Sequence, residues 1–436
     1  MHFEQINKNL SMGTLDMMSM FPHVAQLQSA PFVFKIDFGL QKLPTEPGIL
    51  IIRGARQYGK STWLEQQIIS TIKEFGPGSA YYLNGDDLLI ASKLELELEN
   101  LLVAFATNAK VQRIFIDEIT SIDNWELVLK KLADQGKLAK TLIVTTGSKA
   151  TDLRRGAEKL PGRKGKLDRT TYLFTPLAYA EFYRVCHKAL QENTLIAYLL
   201  SGGSPIACTE LAVSGFIPEY VVELVRDWIE GEIAKAGRSR TSLHNIFTTL
   251  FRFGSVPVGQ AKLAREAALA NNTVAHNYIE ILHDLGCVLP AYSWDQHKKI
   301  LILRKQCKYH FTNLLIALTY HPSRLRRPKD FLALTEQEQG MWYEWLIAQE
   351  IMRRNAILGN EILAPLAFWQ NDNHEIDFVT TNKFIEVKRG KSYATEFSWF
   401  IKQFPQQHLT IINQHKFKTE WLHGETVEEF LLESFK

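Results

Sequence analysis

This chain of 436 residues has few cysteines, no long apolar runs and a small net charge. The four cysteines, Cys186, Cys208, Cys287 and Cys307, lie far apart in the sequence and show no paired metal spacing. This argues against a zinc module and against a disulfide framework. Free thiols are typical of a reducing compartment, so we expect the protein to be cytoplasmic.

The apolar runs, such as 49–52 and 142–144, have the length of strands and fall far short of the ~20 residues that span a bilayer. The methionine-rich N-terminal stretch is too short and too interrupted to be a signal peptide. We therefore expect no membrane partner. With 46% hydrophobic and 22% charged residues, the composition is that of an ordinary folded protein, which excludes collagen, coiled coil and disorder.

A net charge of +3 does not by itself indicate a nucleic-acid partner. Seven cations nevertheless cluster between residues 154 and 169: Arg154, Arg155, Lys159, Arg163, Lys164, Lys166 and Arg169. They form either a solvated loop or a contact with phosphate or a partner, and the sequence leaves both open.

Strand and helix patterns alternate from residue 49 to about 150, which predicts an α/β fold with a doubly wound parallel sheet. A helix at 60–73 and a strand at 80–84 are among these patterns. Within this region the string GARQYGKS at 54–61 matches the phosphate-loop (P-loop) pattern and lies between a predicted strand and a predicted helix. Its amides and the helix N-terminus would cradle ATP phosphates, Lys60 would reach the β- and γ-phosphates, and Ser61 would bind Mg²⁺. The predicted ATP-binding residues are Gly54, Ala55, Arg56, Gln57, Tyr58, Gly59, Lys60, Ser61 and Thr62.

The string RIFIDE at 113–118 predicts a buried central strand that ends in two carboxylates. Asp117 would orient Mg²⁺ and Glu118 would polarise the attacking water as general base. The next strand ends in TTGS at 145–148, where either Thr146 or Ser148 would sense the γ-phosphate or hold the water. An ordinary strand-ending turn would look the same.

Beyond these motifs the chain resembles prokaryotic AAA-type ATPases that carry a C-terminal helical and nuclease-like region. The resemblance includes YYLNGDD at 81–87, IDEITSIDNW at 116–125, TGSKA at 146–150, LPGR at 160–163, TPLAYAEF at 175–182 and SGGSP at 201–205. It implies that Arg163 acts as an arginine finger or sensor and that the protein forms a homo-oligomer. Tyr58 and Ser61 depart from the common pattern without removing a needed group.

Two helical patterns at 260–269 and 273–285 resemble a helix-turn-helix, and two strand-like runs after them, at 288–292 and 299–303, resemble a wing. The exposed face of the second helix offers Thr273, His276, Asn277, Glu280 and His283 but no arginine or lysine. Such a face is a poor DNA reader, which favours a structural role.

Near the C-terminus we predict two strands, at 375–380 and 383–388. Their residues EIDFV at 375–379 and IEVK at 385–388 resemble the D…E-x-K core of restriction-endonuclease-like folds. Asp377 and Glu386 would hold Mg²⁺, Lys388 would orient water or stabilise charge, and Glu344 from an upstream helix would tune the metal site. A strand pair with solvated charges, or an inherited fold that has lost cleavage, would show the same pattern.

These observations predict four segments: an N-terminal segment at 1–48, an AAA-type ATPase domain with a small lid at 49–215, a helical and winged-helix domain at 216–330, and a restriction-endonuclease-like domain at 331–436. The predicted function is ATP hydrolysis directed at DNA or a DNA-associated protein partner. The alternative is a nucleotide-controlled signalling or assembly switch whose C-terminal module only binds.

Overall fold

The parallel sheet predicted for the first half of the chain is present and has five strands. The computed structural model describes residues 2–105, 109–147, 165, 167–360, 363–381 and 383–433. The strands are β1 (Gly48–Arg53), β2 (Ala80–Asn84), β3 (Gln112–Asp117), β4 (Thr141–Gly147) and β5 (Thr171–Leu173), in the order β2-β3-β4-β1-β5. All neighbours are parallel, and every residue of β1 and β4 is buried, as expected of central strands covered on both faces. The predicted α/β fold class is confirmed.

Seven helices accompany this sheet among the described residues: α1 (Phe3–Met12), α2 (Met17–Met20), α3 (Pro22–Ser29), α4 (Lys60–Phe75), α5 (Gly85–Leu88), α6 (Ala91–Ala104) and α7 (Trp125–Asp134). Apolar residues four apart, such as Leu94 and Leu98 on α6, pack with Ile51 and Ile116 of the strands into one core. Residues 1–33, 37–175 and 356–362 make up this first compact unit.

The N-terminal helix α1 covers the edge of the sheet. The Asn7 side-chain amide donates to the Tyr82 carbonyl at 2.8 Å, and its oxygen accepts the Tyr82 N–H at 2.7 Å. Because β2 is an edge strand, these two bonds occupy backbone groups that a further strand would otherwise use. Arg113 of β3 ties down the chain before β1 by donating to the Pro44 carbonyl at 3.0 Å. Apart from residues 34–36, the N-terminal segment is thus part of the first unit.

The second compact unit comprises residues 34–36, 176–355 and 363–436. The helices that follow β5 are α8 (Tyr179–Leu190), α9 (Thr194–Ser201), α10 (Pro205–Ser214), α11 (Glu219–Lys235), α12 (Arg240–Phe253), α13 (Gln260–Glu266), α14 (Asn272–Asp284), α15 (Leu314–Tyr320), α16 (Pro328–Leu332), α17 (Glu336–Leu358), α18 (Ser398–Gln403) and α19 (Val427–Leu432). Among all described residues, no helix combines the length and the apolar content needed to cross a bilayer. The predicted division into four segments remains a prediction.

The described residues of the second unit include nine strands, which form two sheets. The strands are β6 (Val288–Asp295), β7 (Ile300–Phe311), β8 (Leu366–Gln370), β9 (Glu375–Ile376), β10 (Phe378–Val379), β11 (Phe384–Val387), β12 (Leu409–Ile412), β13 (Phe417–Lys418) and β14 (Leu422–Glu425). One sheet has the order β7-β6-β8-β9 and the other β10-β11-β12-β14-β13. Aromatic residues, including Trp369, Phe384, Phe400 and Phe404, share a core with strand residues of both sheets.

The structure has two helices, α13 and α14, followed by two strands, β6 and β7, which is the order predicted for a winged helix. The assignment as a winged helix stays a prediction. The predicted end of the second wing strand at residue 303 is wrong, because β7 continues to Phe311. Its pairing with β6 shifts at Tyr292 and Ser293 and then resumes from Cys307. A bulge of exposed polar residues hid this continuation from a reading of apolar periodicity.

The single strand predicted at 375–380 is divided at Asp377 into β9 and β10. Side-chain bonds replace the ladder there: the Asp377 N–H donates to Glu386 Oε2 at 3.2 Å, and Asp377 Oδ2 accepts the Val387 N–H at 2.9 Å. Asp377 is thereby fixed against β11.

Candidate functional site

Three adjacent strands of the first unit bring the predicted nucleotide residues to one edge of the sheet. Strands β3, β4 and β1 are neighbours, with Arg53 opposite Gly147 and Ile116 opposite Thr145. The phosphate loop follows β1, while Thr146 and Asp117 lie at the ends of β4 and β3. Since ligands of open α/β sheets bind outside the carboxyl ends of the strands, these residues occupy the expected place.

The two glycines of the phosphate loop are needed for different reasons. A Cβ at Gly54 would lie 2.8 Å from the carbonyl oxygen of Phe174, so no side chain fits there. Gly59 has a φ of 96° at the start of α4, a conformation that L side chains rarely adopt. The loop therefore turns tightly into the helix, whose N-terminal amides form an anion site.

Lys60 is buried and directs its ammonium group back at its own loop. Its Nζ donates to the carbonyl oxygens of Gly54 at 2.9 Å and Ala55 at 2.7 Å. Burial lowers the pKa of Lys60 to about 8; the carboxylates of Glu118 and Asp117 oppose this fall and Arg56 adds to it. An anion at this position would stabilise the charged ammonium.

Thr146 connects the two acids of β3. Its hydroxyl donates to Asp117 Oδ1 and accepts the Glu118 N–H at 3.2 Å, and Thr146 itself is fully buried. The Glu118 carboxylate also accepts from the Thr120 hydroxyl at 2.9 Å. The Thr146 hydroxyl, one of the two candidates for sensing the γ-phosphate or holding the water, thus contacts both acids.

Glu118 has the left-handed backbone conformation, with φ and ψ both at 47°. A non-glycine residue in that region stores strain of order 1 kcal/mol, and such residues concentrate at functional sites. Gly85 makes room for it, because a Cβ on Gly85 would lie 2.3 Å from the Glu118 carbonyl oxygen. In the sequence, Gly85 stands out only as part of the motif at 81–87, whereas the structure gives it a positioning role.

The family model described as "AAA domain" matches residues 46–183, which hold the whole of this arrangement. Residues 46–183 match this family and are called the AAA domain. This domain type is a P-loop ATPase, which agrees with the strand order and the loop geometry. Over 366 residues the chain is also 24% identical to an uncharacterized protein of Methanocaldococcus jannaschii, covering 80% of this chain and 75% of that protein.

Solved structures show partial likeness to the chain. The ORC2 protein of Aeropyrum pernix aligns with a TM-score of 0.35 and 11% identity, over 72% of this chain and 92% of that one. The ORC1 protein of the same organism, solved in complex with DNA, gives a TM-score of 0.33 and 13% identity, over 69% and 92%. A RuvB variant of Thermotoga maritima gives 0.31 and 15%, over 59% and 85%.

The donors available for Mg²⁺ in the AAA domain are the Ser61 hydroxyl and the Asp117 carboxylate. Ser61 is the second residue of α4 and Asp117 is the last residue of β3. Both supply oxygen, which Mg²⁺ prefers, and Mg²⁺ typically takes one or two protein ligands and completes its shell with phosphate and water. The residues therefore fit this ion.

Two predicted catalytic residues of the AAA domain, Ser148 and Arg163, lie outside the described residues, and so do Arg154 and Arg155. Arg169, the last member of the predicted basic cluster, is described and has a structural role. Its guanidinium donates to the carbonyl oxygens of Ile357 at 3.0 Å and Thr171 at 3.1 Å. Arg169 is therefore engaged with backbone within the first unit.

A contact missed by the sequence analysis joins the N-terminal segment to α4. The Glu65 carboxylate accepts the Val24 N–H at 2.9 Å and lies 2.6 Å from His23 Nδ1. The hydrogen bond to Glu65 raises the pKa of His23, burial opposes that rise, and the charges of Glu65 and Asp117 add to it. No sequence signal links residues 42 positions apart, so only the fold reveals this pair.

In the second unit, the structure brings together the side chains of Asp377, Glu386, Lys388 and Glu344. Glu386 and Asp377 are buried, and Lys388 Nζ lies 2.5 Å from Glu386 Oε1 with half of its side chain exposed. Burial, followed by the charge of Asp377, raises the pKa of Glu386 to about 8.

A second lysine, which the sequence analysis missed, lies at the centre of this group. The Nζ of Lys308 on β7 lies 3.1 Å from Asp377 Oδ1 and 3.3 Å from Glu344 Oε1, and it also donates to Glu375 Oε1. His310, two residues along the same strand, contacts Glu344 Oε1 at 2.8 Å. The alternation of Lys308 and His310 with Cys307, Tyr309 and Phe311 was the available signal.

The charges around Lys308 stabilise its ammonium. Burial works against the charge, but Glu344, Asp377 and Glu375 outweigh it and raise the pKa of Lys308 well above its ordinary value. Burial likewise opposes ionisation of Glu344, yet Lys308 and His310 lower its pKa to about 2. Across the described part of the chain, no group of three or more His, Cys, Asp or Glu side chains is arranged to hold a metal ion.

Proposed function

We propose that this protein binds and hydrolyses ATP at the carboxyl edge of the sheet in its AAA domain. The supporting observation is the meeting of three strand ends: the phosphate loop with Lys60 after β1, Thr146 on β4, and the acids Asp117 and Glu118 on β3. Phosphoryl transfer to water requires a phosphate site, oxygen donors for a metal ion and a carboxylate base, and all three lie at this edge of the sheet.

The side chains divide the work. Lys60 leaves the carbonyls of Gly54 and Ala55 and neutralises the β- and γ-phosphates, while the amides of residues 54–62 bind the remaining phosphate oxygens. Ser61 and Asp117 would hold Mg²⁺, which supplies positive charge to the phosphate oxygens. Glu118 accepts a proton from the attacking water. Thr146 keeps Asp117 and the Glu118 backbone in place, and Ser148 is the second candidate for sensing the γ-phosphate.

Arg163 is proposed to stabilise the transition-state charge from a neighbouring copy in a homo-oligomer. The test is turnover of Arg163→Ala at rising protein concentration, with nucleotide affinity measured alongside. We expect slower hydrolysis with little change in affinity. Turnover equal to wild type at every concentration would move the assignment to Arg154 or Arg155.

The proposed action is on DNA or on a DNA-associated protein partner through the C-terminal part of the second unit. Support comes from the convergence of Asp377, Glu386 and Lys388, the set expected of a restriction-endonuclease-like site. The exposed cations Lys391 and Lys402 offer phosphate contacts nearby in sequence. The cytoplasm is the proposed location, since Cys186, Cys208, Cys287 and Cys307 are all buried free thiols.

The test compares ATP turnover of the full chain alone, with single-stranded DNA and with double-stranded DNA. Glu118→Gln is the matched control, because it removes the proposed base and keeps the shape of the side chain. Stimulation of wild type by DNA, absent in Glu118→Gln, supports the proposal. Wild-type turnover no higher than that of Glu118→Gln would refute the ATPase assignment.

Lys308 favours a second candidate function. Because its ammonium already occupies the point where the carboxylates converge, the C-terminal site supports a binding module without cleavage. The protein would then be a nucleotide-controlled signalling or assembly switch. Incubation of linear and branched DNA with Mn²⁺, with and without ATP, separates the two: nicking that Asp377→Ala abolishes establishes a nuclease.

A further inference from the structure

The acidic cluster of the second unit has a cation of its own in the Lys308 side chain. Three carboxylates, from Glu344 on α17, Glu375 on β9 and Asp377 between β9 and β10, approach one ammonium nitrogen. A lysine ammonium has three N–H donors and no acceptor, so three acceptors use all of its hydrogen bonds. Lys308 is 1% exposed, and water does not compete for these bonds.

A divalent cation and this ammonium are mutually exclusive. Mg²⁺ or Mn²⁺ binds carboxylate oxygens at about 2.1 Å, on the same oxygens that the ammonium contacts at 3.1 and 3.3 Å. Two positive charges a few ångströms apart in a buried site repel strongly. His310 reinforces the arrangement from the same strand through its contact with Glu344.

We propose that Lys308 takes the place of the divalent cation in the nuclease-like site, so that the wild-type cluster excludes metal and removal of Lys308 creates a metal site. The ligands of that new site would be the carboxylates of Glu344, Glu375 and Asp377, which the ammonium contacts, with Glu386 beside Asp377. This inference deepens the second candidate function of the C-terminal region. It is independent of ATP hydrolysis, because metal binding is measured without nucleotide.

The experiment uses the full chain in four forms: wild type, Lys308→Gln, Lys308→Gln with Asp377→Asn, and Lys305→Gln. Lys305 lies on the same strand and is exposed, so it is the matched control. Each form is melted in EDTA and in rising Mn²⁺, and bound Mn²⁺ is counted by electron paramagnetic resonance. If Lys308→Gln alone does not fold, Lys308→Gln with Glu375→Gln removes one excess charge and keeps three carboxylates.

We expect no effect of Mn²⁺ on wild type or Lys305→Gln. For Lys308→Gln we expect a saturable rise in Tm and one tightly bound ion per chain, both lost when Asp377→Asn is added. Mn²⁺ binding by wild type that Asp377→Asn abolishes would overturn the proposal, since the cluster would then hold metal beside the lysine. Absence of an Asp377-dependent response in both Lys308 variants would overturn it as well. Neither result bears on the ATP turnover of the wild type, so failure of this proposal is distinguishable from failure of the ATPase assignment.

Discussion

Two buried lysines, Lys60 in the AAA domain and Lys308 in the second unit, have opposite surroundings. Lys60 contacts two neutral carbonyls of its own loop, and burial lowers its pKa to about 8. Lys308 contacts three carboxylates, and its pKa is raised well above the ordinary value. Both residues are almost inaccessible to water.

The difference shows how one residue type serves two purposes. A buried ammonium without anionic partners gains from any anion that arrives, so Lys60 is suited to receive phosphate. A buried ammonium with all its donors bound to carboxylates gains nothing from a ligand, so Lys308 is suited to hold the protein together. Burial and charge alone do not separate these roles; the identity of the acceptors does.

We expect the largest effect at the proposed ATP site, from the substitutions Lys60→Ala and Glu118→Gln. Lys60→Ala should weaken nucleotide binding, while Glu118→Gln should retain nucleotide and lose turnover by about 10²- to 10⁴-fold, the usual contribution of a general base. Nucleotide affinity and phosphate release measured on the same preparations distinguish the two outcomes. Full turnover in either variant would be incompatible with the assigned roles.

The structural lysine should matter for stability instead. Lys308→Gln leaves buried carboxylates unpaired, and we expect it to lower the free energy of unfolding by about 3–5 kcal/mol in metal-free buffer. The exposed neighbour Lys305→Gln should change it by no more than about 0.5 kcal/mol. Urea unfolding followed by tryptophan fluorescence measures both. Equal midpoints would show that the cluster is not held by its lysine.

Gly85 tests whether backbone placement of the base is as important as its chemistry. Gly85→Ala puts a Cβ 2.3 Å from the Glu118 carbonyl, so Glu118 must move. Displacement of a catalytic group by about 1 Å costs up to about 100-fold, and we expect a 10- to 100-fold fall in kcat. Gly231→Ala, a helical glycine whose Cβ would meet nothing within 4 Å, is the control and should leave turnover unchanged.

The low pKa of Lys60 predicts a pH dependence of nucleotide affinity. Free Lys60 loses its proton as pH rises through about 8, whereas bound phosphate holds the proton on. Affinity should therefore be complete below pH 8 and fall above it, by up to about tenfold per pH unit. Titration of a fluorescent nucleotide at pH 7, 8 and 9 measures this fall. In Lys60→Arg, whose guanidinium does not titrate in this range, a profile as steep as that of wild type would contradict the explanation.

The smallest effect concerns the pair that anchors the N-terminal segment. Glu65→Gln should lower stability by about 1 kcal/mol, because the half-exposed His23 is partly screened by solvent. The pKa of His23 is raised in the folded protein, so this contribution is complete below the unfolded pKa of 6.5 and disappears as pH rises through the folded pKa. Glu74→Gln on the same helix breaks an exposed pair with Lys42 and is the control. Denaturant midpoints at pH 5.5 and 8.5 test the sign.

Local patterns predicted the AAA domain well. The strands at 80–84 and 113–117, and the helix that starts at Lys60, were found with nearly the observed bounds because buried parallel strands and a P-loop have strong sequence signatures. The second unit was harder. The bulge in β7 and the division at Asp377 both depend on partners distant in sequence, and periodicity does not carry that information.

The same limit applies to the candidate sites. Lys60, Asp117 and Glu118 belong to sequence motifs, and the motifs predict that these residues lie close together. Lys308 reaches Glu344 and Asp377 across 36 and 69 residues, and Glu65 reaches His23 across 42. Such pairs arise from the topology of the chain. The partners of Lys308 therefore become evident only from the arrangement of the strands in the structure.

The contact between Asn7 and Tyr82 bears on how this protein can be divided in the laboratory. A recombinant fragment that starts at residue 46, where the family match begins, would lack α1 and would leave the outer hydrogen-bonding groups of β2 bare. It would also lack the Pro44 carbonyl, which accepts a hydrogen bond from Arg113, and the Val24 N–H, which donates to Glu65. An uncapped edge strand pairs readily with other chains, so such a fragment should precipitate or self-associate where one beginning at residue 2 stays dispersed.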